Sequence, residues 1–130
     1  IGVRLVGSEM CIRDRIKFER EIQSVFYNNK YVGISYSDTK KENSWHIKVY
    51  DMNGKTVMEN DTEIAYNRIE LLDNNEICVR DDYNCELFTI HSIRKFRYTF
   101  DRQLYNVLSG SDGQNYTLVL NGEIEEVRLQ

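Results

Sequence analysis

Two histidines are the residues of this chain best suited to acid–base chemistry, because imidazole titrates near neutral pH. His46 lies in the stretch "SWHIKVYD" and His91 lies in "FTIHSIRK". A histidine that acts as a general base needs an orienting carboxylate, and Asp51 and Asp101 are the candidates. The sequence places no nucleophile beside either histidine, as a catalytic triad would require. We therefore predict polar histidines at strand ends, no catalytic residues and a protein that is not an enzyme.

Two cysteines outside the N-terminal segment, Cys78 and Cys85, have neither a Cys-x-x-Cys spacing nor a histidine at a metal-ligand spacing. A two-residue turn at Asp81 and Asp82 would place the two cysteines opposite each other and allow a disulfide. A turn one residue later would instead pair Cys78 with Leu87. The alternative to a disulfide is a pair of small residues in strands, because free cysteine commonly behaves as a small hydrophobe.

Two polar stretches resemble oxygen-rich metal loops. "DMNGK" (Asp51 to Lys55) has alternating oxygen ligands but lacks the rest of a twelve-residue calcium loop and its closing glutamate. "DNNE" (Asp73 to Glu76) joins two apparent strands, and its polar residues suit a turn. We therefore predict no metal site and no cofactor.

The charge of the chain argues against a nucleic-acid partner. It has 17 lysines and arginines, 21 aspartates and glutamates, and a net charge of −4, with the two signs interspersed. A nucleic-acid binder needs a basic patch to neutralise phosphates. "IRKFRYTFDR" (Ile93 to Arg102) interleaves basic and aromatic residues. Strand alternation explains it, because Phe96, Tyr98 and Phe100 share one face that would pack on a neighbouring unit. No apolar run approaches the roughly 20 residues that a membrane-spanning helix needs.

The elements that position these residues are predicted to be β-strands. Proline is absent, and short runs of β-branched and aromatic residues alternate with Asn, Asp, Gly and Ser. "MNGK" (Met52 to Lys55) and "LNGE" (Leu120 to Glu123) each place Asn-Gly between apparent strands, which predicts type I′ hairpin turns. The chain is therefore predicted to be all-β.

Three segments share one plan of strand, polar turn and strand. They begin at Ile22, Asn67 and Tyr105, and their first strands recur at offsets of 44 and 38 residues. Repeating units over about 22–60, 64–101 and 104–130 have the length of WD40-like propeller blades, which is about 40 to 45 residues. We therefore predict a partial β-propeller of two four-stranded antiparallel blades and a three-stranded final blade. A small β-sandwich or open sheet is the alternative.

The longer first offset reflects an insertion, "DTKKENS" (Asp38 to Ser44), between the second and third strands of the first unit. Loops carry function more often than the strands that support them. The insertion is therefore the candidate contact surface, and its polar residues are Asp38, Lys40, Lys41, Glu42 and Asn43.

The N-terminal stretch "LVGSEMCIRDR" (Leu5 to Arg15) differs in style from the rest of the chain. It fits neither strand nor helix periodicity, and charges interrupt it throughout, unlike a signal peptide. It resembles one reading frame of a transposase-end adapter used in sequencing libraries. We therefore expect residues 1–15 to be a non-native segment, and residues 16–130 to be the C-terminal fragment of a propeller domain truncated upstream.

The stretches "EREIQSVFYNNKYVGISY", "IKVYDMNGKTV", "IELLDNNEICV" and "NYTLVLNGEIEEVRL" resemble the C-terminal part of an uncharacterised bacterial family, domain of unknown function 5711. The resemblance implies a β-propeller outside the membrane, anchored by one N-terminal transmembrane helix in the missing region. We expect a non-catalytic extracytoplasmic module that binds or scaffolds a protein or cell-envelope ligand. The alternative is a fragment of a propeller enzyme whose active-site residues lie in missing upstream blades.

Overall fold

A computed structural model describes residues 4–5, 8–9, 15–18, 20–37 and 43–129, which contain thirteen strands and no helix. Strands β1 (Arg4–Leu5) and β2 (Ser8–Glu9) form a short antiparallel pair. The other eleven form three antiparallel sheets. The first sheet contains β3 (Ser24–Tyr27), β4 (Tyr31–Ser37), β5 (Trp45–Asp51) and β6 (Thr56–Thr62). The second contains β7 (Arg68–Leu71), β8 (Ile77–Arg80), β9 (Asn84–Phe88) and β10 (Arg94–Thr99). The third contains β11 (Leu104–Ser109), β12 (Asn115–Leu120) and β13 (Glu123–Arg128).

Within each sheet every strand pairs with the next strand along the chain. The prediction of an all-β chain is confirmed, and the sheets have four, four and three strands. The short polar connections between them explain this order, because antiparallel neighbours can be joined by tight turns.

The two Asn-Gly turns are present, but neither is of type I′. Gly54 and Gly122 have φ values of 81° and 87°, whereas Asn53 and Asn121 do not have positive φ. A type I′ turn requires positive φ at both central residues. In the first turn the Asp51 carboxylate accepts hydrogen bonds from the backbone N–H groups of Asn53 and Lys55 at 2.9 and 3.0 Å. The Asp51 side chain thus stabilises a turn over residues 52–55, which is longer than a two-residue turn. Within it only Gly54 adopts the left-handed conformation.

The first hydrophobic cluster joins the first sheet to the second. Strand alternation directs one face of each sheet into it. The residues buried there are Phe26, Ile47, Val49, Met58, Ile64, Ile69, Ile77, Val79 and Phe88. Among strands of different sheets, β3 and β7 make the most extensive backbone contact, so the two sheets meet at their first strands.

The second hydrophobic cluster joins the second sheet to the third. Its buried members are Leu72, Cys78, Cys85, Leu87, Leu104, Val107, Tyr116, Leu118 and Leu120. The second sheet is therefore covered on both faces, and all four residues of β8 are buried. Strands covered on both faces have continuous rather than alternating apolar sequences, and "ICV" at Ile77 to Val79 has this character.

The register of β8 and β9 decides between the two cysteine pairings left open by the sequence. Cys78 lies opposite Leu87, and Cys85 lies opposite Arg80. The turn therefore falls at Asp82 and Tyr83, one residue later than the alternative that would place the cysteines opposite each other. Both cysteines are free and buried.

A close contact between an aromatic ring and a glycine shapes the first sheet. Phe26 in β3 lies opposite Gly33 in β4. A Cβ atom at Gly33 would lie 2.1 Å from two ring carbons of Phe26. Phe26 is itself part of the first hydrophobic cluster, so the ring has little space into which it can move.

We predict that Gly33→Ala lowers the free energy of unfolding by about 1–3 kcal/mol, because it overpacks this contact. Chemical denaturation of the wild type and the variant measures the difference. A Phe26→Val background provides the control, because valine lacks the δ, ε and ζ carbons that the new methyl group would meet. Gly33→Ala should cost less in that background, and equal costs in both backgrounds would show that the ring contact is not responsible.

Candidate functional site

The connections between strands gather at two ends of the sheets. We call one the loop end; its described residues are 43–44, 63–67, 81–83, 100–103 and 121–122. We call the other the turn end; it comprises residues 28–30, 52–55, 72–76, 89–93 and 110–114. Hydrogen bonds between sheets support both groupings. At the turn end Asn28 Nδ2 donates to Asn75 Oδ1 at 2.8 Å, and at the loop end the Leu104 N–H donates to the Asp82 carbonyl at 2.7 Å.

The predicted contact loop connects β4, which ends at Ser37, to β5, which begins at Trp45. Asp38, Lys40, Lys41 and Glu42 lie outside the described residues, whereas Asn43 is described and has a φ of 56°. Asparagine tolerates this left-handed conformation better than most residues, which allows a sharp change of direction into β5.

An aromatic pair lies beside the point where this insertion meets the first sheet. The Trp45 ring meets the Tyr66 ring edge-on, with centroids 5.8 Å apart. The Tyr66 hydroxyl also forms a hydrogen bond with Ser35 Oγ. The aromatic pair therefore connects the start of β5 to the segment between the first and second sheets.

His46 lies between two carboxylates on the face of the first sheet opposite the first hydrophobic cluster. Its Nδ1 lies 2.5 Å from Asp61 Oδ1, and its Nε2 lies 2.6 Å from Glu59 Oε1. Both contacts can be N–H donations only when both ring nitrogens carry protons. The hydrogen bond from His46 is the main cause that lowers the pKa of Glu59. Lys48 Nζ lies 3.7 Å from Glu59 Oε1.

The histidine–carboxylate pairs considered from the sequence do not form. His46 contacts Glu59 and Asp61, while the Asp51 carboxylate caps its own turn. His91 lies in the turn before β10 and Asp101 follows that strand, so the strand separates them. Cross-strand register, rather than sequence proximity, selects the partners of His46, because Asp61 lies directly opposite it.

A polar network is buried between the second and third sheets. Lys95 Nζ lies 2.8 Å from Glu76 Oε2 and donates to the Tyr116 hydroxyl at 2.7 Å. The Tyr116 hydroxyl donates to Glu76 Oε1, and Lys95 also donates to the Gly113 carbonyl. Asn74 Nδ2 donates to Glu76 Oε1 at 2.6 Å. The network therefore links the turn end of the second sheet to that of the third.

The pKa values of Lys95 and Tyr116 are both raised within this network. Burial disfavours the Lys95 ammonium, but its hydrogen bonds with Glu76 and Tyr116 outweigh that effect and raise its pKa. Burial and the hydrogen bond to Glu76 raise the pKa of Tyr116. The Lys95 ammonium and the neutral Tyr116 hydroxyl therefore both donate hydrogen bonds to the Glu76 side chain. The sequence gives no signal for this network, since Glu76 and Tyr116 are 40 residues apart.

Glu86 is the other buried carboxylate of the second sheet, with 1% exposure. Burial raises its pKa, against the opposing effect of Arg94 and Arg97. Its Oε2 accepts no hydrogen bond from the described part of the chain, and Arg97 Nε is 3.9 Å away. Glu86 therefore has a charged neighbour but no close donor to that oxygen.

An apolar groove of about 250 Å³ runs between the outer strands of the second and third sheets. Phe96, Tyr98 and Phe100 line one side, and Val127 and Leu129 line the other. Phe96 and Phe100 pack against the second hydrophobic cluster, while Tyr98 is 58% exposed. The shared aromatic face predicted for β10 therefore points towards the neighbouring sheet.

Two further features bear on function. Within the described ranges, no group of three or more His, Cys, Asp or Glu residues is arranged to hold a metal ion. Over the same part of the chain, no helix is long and apolar enough to cross a membrane.

The fold defines a protein of successive antiparallel meanders packed face to face. The chain belongs to the family of unknown function DUF5711, which matches residues 7–129. No curated protein matches this sequence. The family match includes residues 7–15, part of the segment interpreted as adapter-derived. That interpretation stays a prediction.

We predict that Tyr116→Phe lowers the free energy of unfolding by about 1–3 kcal/mol, because it leaves buried Glu76 and half-buried Lys95 without a shared partner. Thermal and chemical denaturation measure this loss. Tyr105→Phe is the matched control, because Tyr105 is 49% exposed on the neighbouring strand. Equal stabilities of the two variants would contradict a role for the network in docking the third sheet.

We predict that His46→Gln removes an acid-dependent part of the stability. Because the pKa of Glu59 is lowered in the folded protein, its contribution is present above the unfolded value of about 4.3 and is lost as the pH falls through the folded value. The wild-type advantage over His46→Gln should be about 1 kcal/mol or less at pH 5.5, since these groups are partly exposed and screened. It should shrink as the pH is lowered towards 3.

Urea denaturation at each pH measures this advantage. The control is His91→Gln, which changes a histidine in an exposed turn. An advantage of wild type over His46→Gln that is constant from pH 5.5 to 3 would contradict the assignment to Glu59.

Proposed function

We propose that this chain is part of an extracytoplasmic β-propeller that acts as a non-catalytic module for binding or scaffolding. The observation that carries the proposal is the burial of the second sheet between two neighbours of the same strand order. A two-layer β-sandwich would leave one face of each sheet towards solvent. Successive blades of a propeller instead cover both faces of every internal sheet.

The direction of packing supports a radial arrangement. The backbone contact between the first two sheets is most extensive at their first strands, β3 and β7, as expected for blades near a central axis. All three sheets also place corresponding connections at the same end. A stack of unrelated sheets would have no reason to keep this correspondence.

The open edge of the third sheet fits the same architecture. β13 is an edge strand, whereas the first and second sheets have a fourth strand at this position. The apolar groove lies beside that edge, between Phe96 and Tyr98 on β10 with the following Phe100, and Val127 on β13. In a complete propeller, a fourth strand paired with β13 would cover the groove.

A non-catalytic binding role is supported by the contacts of three described ionisable residues, which serve to join strands and sheets. His46, Glu76 and Lys95 make close contacts within or between sheets, and these contacts join structural elements. The connection at residues 38–44 is longer than the corresponding connections at 81–83 and 121–122 in the later sheets. The family resemblance supports a location outside the membrane and a membrane anchor in the full-length protein.

The test uses the full-length protein in its own host cells, with the photo-crosslinking residue p-benzoylphenylalanine at position 40 of the contact loop. We expect light to produce a discrete adduct of higher mass, because a ligand of the loop end would lie within reach. A protease added to cells stripped of their wall and of any outer membrane should degrade this adduct, because both partners would be outside the cytoplasmic membrane.

The matched control carries the same photo-crosslinking residue at position 91, in the exposed turn at the turn end. It should give no corresponding adduct. Absence of an adduct at position 40, or equal adducts at both positions, would contradict binding through the loop end. Protection from the protease until the cells are lysed would contradict the extracytoplasmic location.

A further inference from the structure

Two thiols lie side by side in the core of the second sheet. Cys78 in β8 and Cys85 in β9 have 0% exposure. Their Sγ atoms are 3.6 Å apart. Both side chains point into the second hydrophobic cluster, towards the third sheet. Adjacent strands and a shared face therefore place the two sulfurs in contact.

We propose that Cys78 and Cys85 are a reversible redox site, converted to a disulfide by an external low-molecular-weight disulfide. One cysteine thiolate attacks the external disulfide, which releases one small thiol and leaves a mixed disulfide. The second cysteine then attacks the protein sulfur and releases the second small thiol. The protein loses two S–H bonds and gains one S–S bond, while the external disulfide accepts two electrons and two protons.

The register explains why this disulfide would be reversible. Cys78 lies opposite Leu87 and Cys85 lies opposite Arg80, so the cysteines are diagonal neighbours. Diagonal neighbours on antiparallel strands lie farther apart than directly opposite residues. To form a bond of about 2.05 Å, the sulfurs must move closer and the two strands must adjust. A disulfide that requires such an adjustment is more readily reduced than an unstrained structural one.

Burial sets the rate and the consequence of the reaction. The contact with Cys85 and the burial of the thiol raise the pKa of Cys78, so little reactive thiolate is present at neutral pH. Oxidation therefore requires a local opening that admits the small disulfide. The sulfurs pack in the cluster that contains Leu104 and Leu118, so a shift of β8 against β9 would change the surface on which the third sheet docks.

The test uses the folded full chain with Cys11→Ser, which removes the third cysteine. The protein is incubated with oxidised glutathione, the reagent is removed, and the remaining thiols are alkylated in denaturant before digestion with trypsin under non-reducing conditions. Cleavage after Arg80 separates the two cysteines, so a disulfide should appear as peptide 69–80 linked to peptide 81–94. Mixtures of reduced and oxidised glutathione should give populations of both forms.

Three outcomes would overturn the proposal. The first is alkylation of both cysteines after the folded chain has been oxidised. The second is formation of linked peptides only when the chain is oxidised in denaturant, because the folded packing would then prevent the bond. The third is a disulfide that persists in excess reduced glutathione, which would make it structural. Cys78→Ala is the matched control and should yield no linked peptides, while a glutathione adduct on Cys85 would report access of the reagent.

Discussion

The burial of the second sheet on both faces is the constraint on which the rest of the structure depends. β8 contributes Ile77 and Val79 to one hydrophobic cluster and Cys78 to the other. A sheet without a solvent face needs neighbours on both sides, and burial of apolar area is the main favourable term that holds them there. The first and third sheets are therefore positioned by the same central element, from opposite sides.

Hydrophobic contact alone does not select one relative position of two sheets, since apolar packing is non-directional. The Glu76, Lys95 and Tyr116 network adds direction between the second and third sheets, because its charged hydrogen bonds are satisfied in one arrangement. The Asn28 to Asn75 hydrogen bond gives a weaker link between the first and second sheets at the same end. Polar contacts thus align surfaces that apolar burial brings together.

Features determined by neighbouring residues were predictable from the sequence, and features determined by packing were not. The strands follow from β-branched runs between polar turns, and the number of strands in each sheet follows from the repeat. The type of turn at Asn53 was mispredicted, since the Asp51 carboxylate stabilises a different conformation. The partners of His46 were missed because they come from the facing strand β6, and Glu76 was assigned only to a turn because Lys95 and Tyr116 reach it from distant segments.

The consecutive order of the strands has a consequence for how the chain folds. Every hydrogen-bonded ladder joins segments that are adjacent in sequence, so each needs only a short loop to close. β proteins generally fold slowly because they pair distant segments, and this chain avoids that within its sheets. The distant contacts are concentrated in the two clusters between sheets. Strand pairing can therefore precede sheet docking. The slow step of folding is then the alignment of preformed meanders, and not the choice of strand register.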